Sequence, residues 1–358
     1  MNSKRGKLIA IMLLLLTNGP VQAVLVGGGR FDQLIKNAKI IVKGRITQID
    51  KPSFEMIAFR TKVITVLKND GTAIPDQIHL KAPAPIWPED FGIQFAEKQA
   101  VLLVLERVNK KIAVVNNMRA ILPATNNKTL LEDSNSVTRK VFEELRAYLP
   151  QTKDETAKGL VLVLLSQLSS KEDEKLFLPY MKSENKWLHR AARASLLRLS
   201  PTSERISEAV NDFANYLSAV SQDNLFWEMY EDVQWSARCG SFGMEKDITT
   251  RARAYLPIYR VVIDKAPSNY QRVYIAIEAL KNVGTREDIR RLYKYVDHEK
   301  AWIRHDVLEG IGRILGMEIK RPLITSYGMP LPADVKAWEE KARSAIAQTL
   351  VSEHLLEK

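Results

Sequence analysis

The chain has 358 residues, 46% of them apolar, and carries 53 basic against 42 acidic side chains for a formal net charge of +11. This composition excludes a disordered chain and is enough for two or three cores of ordinary size. A single cysteine, Cys239, excludes a fold held by internal disulfides, so stability has to come from packing.

The first residues are Lys4, Arg5 and Lys7, then nine apolar residues from Leu8 to Leu16, the turn-forming Asn18-Gly19-Pro20, and the small-residue ending Val21-Gln22-Ala23. The pattern reads as a secretory signal over residues 1–23 with cleavage after Ala23, and hence an exported protein, periplasmic or secreted. Nine apolar residues are too few for a membrane span, which needs about twenty. No later stretch is long and apolar enough to cross a bilayer, so no membrane span is expected after signal removal. Charge is uneven along the remainder. Residues 24–125 hold 15 basic and 9 acidic side chains, residues 126–249 hold 16 and 19, and residues 250–321 hold 15 and 9. In an exported protein, such basic segments suit anionic polymers, lipid surfaces or acidic proteins better than nucleic acid.

After Gly27-Gly28-Gly29 a short helix is expected over Phe31 to Ala38, and then the period becomes extended. Strands are expected over Lys39–Thr47, Ile57–Leu67, Gln77–Lys81, Ala100–Arg107 and Lys111–Asn116, separated by turn signals such as Asn69-Asp70-Gly71. Gly44 interrupts the first of these, where a small barrel would place a bulge. Val101 to Leu105 is apolar on both faces and should be a central strand. Five strands over residues 24–125 predict a small β-barrel domain. The loop Ala82-Pro83-Ala84-Pro85-Ile86-Trp87-Pro88 is stiffened by its prolines and presents Trp87, either as a binding contact or as a cap on the barrel core.

Residues 126–136 are polar and read as a linker. From Val137 to the end, residues 137–358 read as an all-helical domain. Helices are expected over Val137–Leu149, Asp154–Leu168, Lys171–Lys182, Lys186–Leu199, Ser203–Val220, Asp223–Arg238, Thr249–Lys265 and Ser268–Asn282, with a closing helix over Pro332–Leu355. Within this region Glu172 to Ser200 and Glu287 to Leu315 align without a gap, 115 residues apart. They share Glu172/Glu287, Asp173/Asp288, Tyr180/Tyr295, Glu184/Glu299, Trp187/Trp302 and Arg198/Arg313. A helical pair that recurs must stack to bury its apolar faces, which favours an extended scaffold.

Two resemblances follow from these residues. The order IIVKGRIT, FRTKVITVLKNDG, IHLKAP and AVLLVLERV resembles the OB-type barrel of the netrin and metalloproteinase-inhibitor superfamily over about residues 36–120. The N-terminal cysteine by which the animal inhibitors grip zinc has no counterpart near Val24, so protease inhibition is not implied. Trp302-Ile303-Arg304 followed by Val307, Ile311 and Leu315 resembles HEAT-type repeats over about residues 155–316, with His189 standing where the second copy has Arg304. Together they imply an α+β multidomain chain, an OB-like five-stranded barrel followed by an all-α HEAT-like solenoid.

The five histidines show no paired zinc-ligand spacing, and no glycine-rich phosphate loop or Gly-x-Ser-x-Gly elbow is present. The acidic clusters Glu172-Asp173-Glu174 and Glu287-Asp288 stand at helix starts and read as caps. No enzymatic activity, cofactor or metal is expected. Binding candidates are Trp87; the aromatic–acidic stretch with Trp227, Tyr230 and Trp235, whose three-to-four-residue spacing equally suits a core; and the basic strip Arg286, Arg290 and Lys294. The expected function is a protein-binding scaffold in the cell envelope that uses its helical-repeat surface. The alternative is a binder of an envelope polymer or small ligand through the aromatic residues.

Overall fold

The computed structural model describes residues 31–53, 56–83, 97–108, 111–115, 121–126, 136–219, 225–238, 246–266, 270–319, 321–322, 333–352 and 355. The expected signal, most of the expected linker, Trp87 and Cys239 lie outside the described residues. Two compact units divide the chain, one ending at Ser195 and the other beginning at Leu196.

In the first unit, α1 (Phe31–Asn37) precedes an antiparallel sheet of β1 (Ile40–Ser53), β2 (Met56–Lys68), β3 (Gln77–Pro83), β4 (Ala100–Val108), β5 (Lys111–Val114) and β6 (Ile121–Pro123). The order is β3-β2-β1-β4-β5, and β3 runs alongside β5 to bring the five strands near closure. This order fits an OB-type barrel. The sixth strand is a three-residue segment ending in Pro123 that pairs with Val101–Leu103 on the same edge of β4 that β5 uses further along. Such a short piece carries too little alternation to be seen in sequence. Val101 to Leu105 are fully buried, as expected of a strand covered on both faces.

Curvature comes from β1, whose register with β2 shifts between Lys43 and Gly44 and again near Thr47. A side chain at Gly44 would meet Thr61 Cγ2 at 2.2 Å, so only glycine allows the two strands to approach this closely. Helices α2 (Val137–Tyr148) and α3 (Glu155–Leu168) belong to the same compact unit. α2 packs on α1, α3 and β2, while the Phe31 amide donates to Gln167 Oε1 at 2.7 Å.

The remaining helices are α4 (Lys186–Leu199), α5 (Ser203–Ser218), α6 (Leu225–Met229), α7 (Glu231–Ala237), α8 (Lys246–Ala254), α9 (Leu256–Lys265), α10 (Tyr270–Val283), α11 (Ile289–Tyr293), α12 (Ala301–Ile314) and α13 (Ala333–Ser352). Three expected helices are broken. Lys171–Lys182 forms two 3-10 turns, Lys171–Leu176 and Leu178–Lys182, because Pro179 starts a new segment. Pro257 does the same between α8 and α9. The break at Tyr230 has another cause: the Gln234 side chain donates to the Trp227 carbonyl at 2.7 Å, and Glu231 and Asp232 occupy the first turn of a new helix.

The repeat is longer than the helical pair visible in the alignment. α3, a 3-10 turn and α4 run from residue 155 to 199, and α10, the turn Arg286–Asp288 with α11, and α12 run from 270 to 314. α3 and α10 begin at Glu155 and Tyr270, and α4 and α12 at Lys186 and Ala301, all four helices being 14 residues long. The copies end differently. After α12, Gly316 adopts a positive φ of 72° and the Met317 amide reaches back to the Gly312 carbonyl at 2.8 Å, whereas Pro201 follows α4.

Candidate functional site

The acidic clusters that open the repeats are caps, as their sequence position indicates. Asp173 accepts from the Ser170 amide at 3.0 Å and Asp288 from the Thr285 amide at 2.9 Å, and each forms a reciprocal capping box with its Ser or Thr. Each carboxylate also takes an arginine from the helix two elements upstream, Arg139 at 3.3 Å and Arg260 at 2.7 Å. The second arrangement is tighter: Asp288 is fully buried and Arg260 grips both of its oxygens. Burial would push the Asp288 carboxyl up, but the Arg260 guanidinium and the Thr285 amide hold it below the usual carboxylate range.

Beside this cap lies the predicted basic strip. Arg286, Arg290 and Lys294 are all exposed. Arg290 Nε donates to the Leu355 carbonyl at 3.2 Å, while Lys294 Nζ stands 4.0 Å from Asp264. Between them Arg291 is held by Asp264 at 2.9 Å, and Glu287 is 78% exposed, so the strip is an edge of three outward cations with one outward carboxylate. An edge like this presents charge to an incoming surface.

The aromatic–acidic stretch resolves into core and rim. Phe226, Trp227 and Tyr230 are buried and pack with Phe213 and Tyr216; Phe213 meets Phe226 edge-on at 4.8 Å, and Tyr216 stacks on Phe226 at 4.0 Å. Tyr230 donates to Asp212 at 2.6 Å, and Arg272 donates to the Tyr216 hydroxyl at 2.7 Å while lying over the Trp227 ring. Among the described residues the indole nitrogen of Trp227 is buried without an acceptor. Trp235 is half-buried, with its indole donating to Glu231 at 3.3 Å. The structure therefore brings Trp227 and Tyr230 together in the packing of α5, α6 and α7, and leaves Trp235 at its margin.

Sequence reasoning missed the residues that carry most of the charge chemistry. Asp232 is held by Arg251 through two contacts of 3.0 Å, by the Tyr255 hydroxyl at 2.8 Å and by Arg198 at 3.4 Å. Glu339 on α13 takes Arg304 at 2.7 Å, Arg343 at 2.8 Å and His305 Nε2 at 3.1 Å. Its carboxyl is pushed up by burial but pulled down further by the Arg304, Arg343 and His305 hydrogen bonds, to about 2. Arg304 also donates to the carbonyls of His298 and Glu299, tying the turn before α12 to the closing helix. At the matching position His189 makes a local contact with Arg193 at 3.3 Å. A more deeply buried pair lies in the first unit. Lys43 on β1 and Glu144 on α2 are fully buried and meet at 2.7 Å, with the Thr125 hydroxyl and amide each 2.6 Å from Glu144 Oε1.

Among the described residues no group of three His, Cys, Asp or Glu side chains could hold a metal ion, and no helix is long and apolar enough to cross a membrane. No family model, curated protein or solved structure matches the chain.

Proposed function

We propose that this is an exported, non-enzymatic binding protein whose helical-repeat surface docks another protein of the cell envelope. The observation that carries the reading is the division of labour among its charged groups. In the helical region the convergent clusters around Asp232, Asp288, Asp306 and Glu339 link one helix to another, while Arg286, Arg290 and Lys294 face outward from the second repeat. Carboxylates already engaged in interhelix bonds serve packing, whereas an exposed cationic edge complements an acidic partner surface. The reading also assigns the barrel to the netrin and metalloproteinase-inhibitor superfamily and the helices to HEAT-type repeats, on the motifs quoted above. The ligand-pocket alternative loses weight because Trp227 and Tyr230 are packed among other rings.

The test compares capture from a native envelope fraction by the wild-type protein and by the Arg286→Glu/Arg290→Glu/Lys294→Glu variant. A protein retained by the first and lost by the second, with the thermal midpoint unchanged, is the expected result. Equal capture by both would remove this edge as the docking surface.

A further inference from the structure

Among the described side chains, the outer face of the β1–β2–β3 sheet carries charge of one sign. Along β2, Phe59 and Thr61 point into the barrel at 3% and 0% exposure, so Arg60 and Lys62 alternate outward and are exposed. On β3, Ile78 and Leu80 are buried, and Gln77, His79 and Lys81 are exposed. On β1, Ile46 is buried and Arg45 is exposed. The register sets these residues side by side: Arg45 is opposite Lys62, Lys62 opposite Gln77, Arg60 opposite His79, and Lys81 opposite Ala58. Arg45, Arg60, Lys62 and Lys81 form no ion pair with any described residue.

Like charges directly opposite one another destabilise an antiparallel pair, and an exposed strand position tolerates almost any polar residue. Four cations on one face without a carboxylate partner among the described residues are therefore a cost that folding does not require, and such a cost is expected where a surface serves binding. The ladder spacing places the backbones of Arg45 and Lys62 about 4.8 Å apart across strands and those of Arg60 and Lys62 about 6.7 Å apart along one, with Lys81 on the next strand. A linear polymer with recurring anionic groups can follow such a grid. The described face carries no aromatic ring on which a nucleic-acid base could stack, and its exposed apolar side chain, Val66, is too small to anchor in a lipid layer. It carries an amide at Gln77, which suits hydroxyl groups lying between the anions.

We infer that the outer β1–β2–β3 face, through Arg45, Arg60, Lys62 and Lys81, binds an acidic polysaccharide. The site lies on the barrel and does not depend on the protein-docking edge of the repeats. The probe is a heparin octasaccharide, titrated into the purified protein at several salt concentrations. Arg45→Gln/Arg60→Gln/Lys62→Gln/Lys81→Gln should weaken binding about tenfold or more and flatten the dependence on log salt by about 0.7–0.9 for each cation removed. Its thermal midpoint should be equal to or above that of the wild type, because the cross-strand repulsion is removed. A control that removes the same charge elsewhere, Arg253→Gln/Lys265→Gln/Lys336→Gln/Lys341→Gln, all exposed and outside the protein-docking edge, should bind as the wild type does. Unchanged binding by the barrel variant, or equal loss in both variants, would overturn the inference. So would a wild type that ignores heparin but binds an oligothymidylate or phosphatidylglycerol vesicles through the same four residues. If the fourfold variant fails to fold, Arg60→Gln/Lys81→Gln carries the same comparison.

Discussion

Glu144→Ala is the most informative perturbation of the first unit, because it leaves the Lys43 ammonium buried at 0% exposure without its counter-ion. Glu144 Oε1 accepts three hydrogen bonds, from Lys43 Nζ at 2.7 Å, from the Thr125 amide at 2.6 Å and from the Thr125 hydroxyl at 2.6 Å. Removing one partner of a buried pair costs about 3–5 kcal/mol, chiefly the penalty of the stranded charge. For a unit of this size that lowers the thermal midpoint by about 6–20 °C. The double replacement Lys43→Met/Glu144→Leu removes both charges. A gain of about 1–4 kcal/mol from avoiding their desolvation is then offset by about 1–3 kcal/mol for the orphaned Thr125 amide. The double variant should fall close to the wild type, with a coupling of about 2 kcal/mol or more. Urea unfolding followed by circular dichroism reads the totals. Amide exchange in β1 and α2 assigns the loss to the first unit, since two units need not unfold together. A cost below about 1 kcal/mol for Glu144→Ala, or additive single effects, would mean that water reaches the pair and that it does not fasten α2 to the sheet.

Three further outcomes follow from the same geometry. The Glu339 carboxyl is depressed from 4.5 to about 2, so the stability it provides is complete above about pH 4.5 and is lost as pH falls toward 2; Glu339→Gln should flatten the urea midpoint over that window. Asp288→Ala should cost about 1 kcal/mol more than Asp173→Ala in urea unfolding, because both remove a cap but only Asp288 is fully buried under a two-oxygen arginine grip. Trp227→Phe should cost far less than the roughly 3–5 kcal/mol of Trp227→Ala, since the indole nitrogen has no acceptor among the described residues to lose; equal costs would show that the nitrogen is bonded in solution.

The local pattern carried much of the architecture. Strand alternation located β1 to β5 and the fully buried Val101 to Leu105, and Gly44 marked the place where the register shifts. Helix breaks at Pro179 and Pro257 were legible in principle, because proline has no amide hydrogen to donate to a continuing helix. The break at Tyr230 was not, since it depends on the Gln234 amide folding back to Trp227. Glu144 left a trace: it shares the buried stripe of α2 with Val141 and Leu145, a position where an unpaired acid would be expensive. Its partner Lys43 is 101 residues away. Arg260 and Asp288, or Arg304 and Glu339, are likewise joined only by the way helices stack, which one sequence without its fold does not specify.

Charge shows most clearly why segment composition alone does not identify a binding surface. Residues 24–125 and 250–321 have the same balance, 15 basic and 9 acidic side chains. In the second segment Arg251, Arg260, Lys281, Arg291, Arg304 and Arg321 are held by Asp232, Asp288, Asp306, Asp264 and Glu339, so much of the excess serves helix packing. Buried pairs of this kind add little net stability but penalise any stacking that would separate them, which suits a repeat whose neighbours must meet in one register. In the first segment Arg45, Arg60, Lys62 and Lys81 stand on an exposed face without carboxylate partners among the described residues. Equal composition thus covers two arrangements, one in which many cations are seated on carboxylates and one in which four stand clear of them among the described residues. An anionic ligand entering from solvent gains more by neutralising the four barrel cations than by competing with carboxylates already seated on the arginines of the repeat.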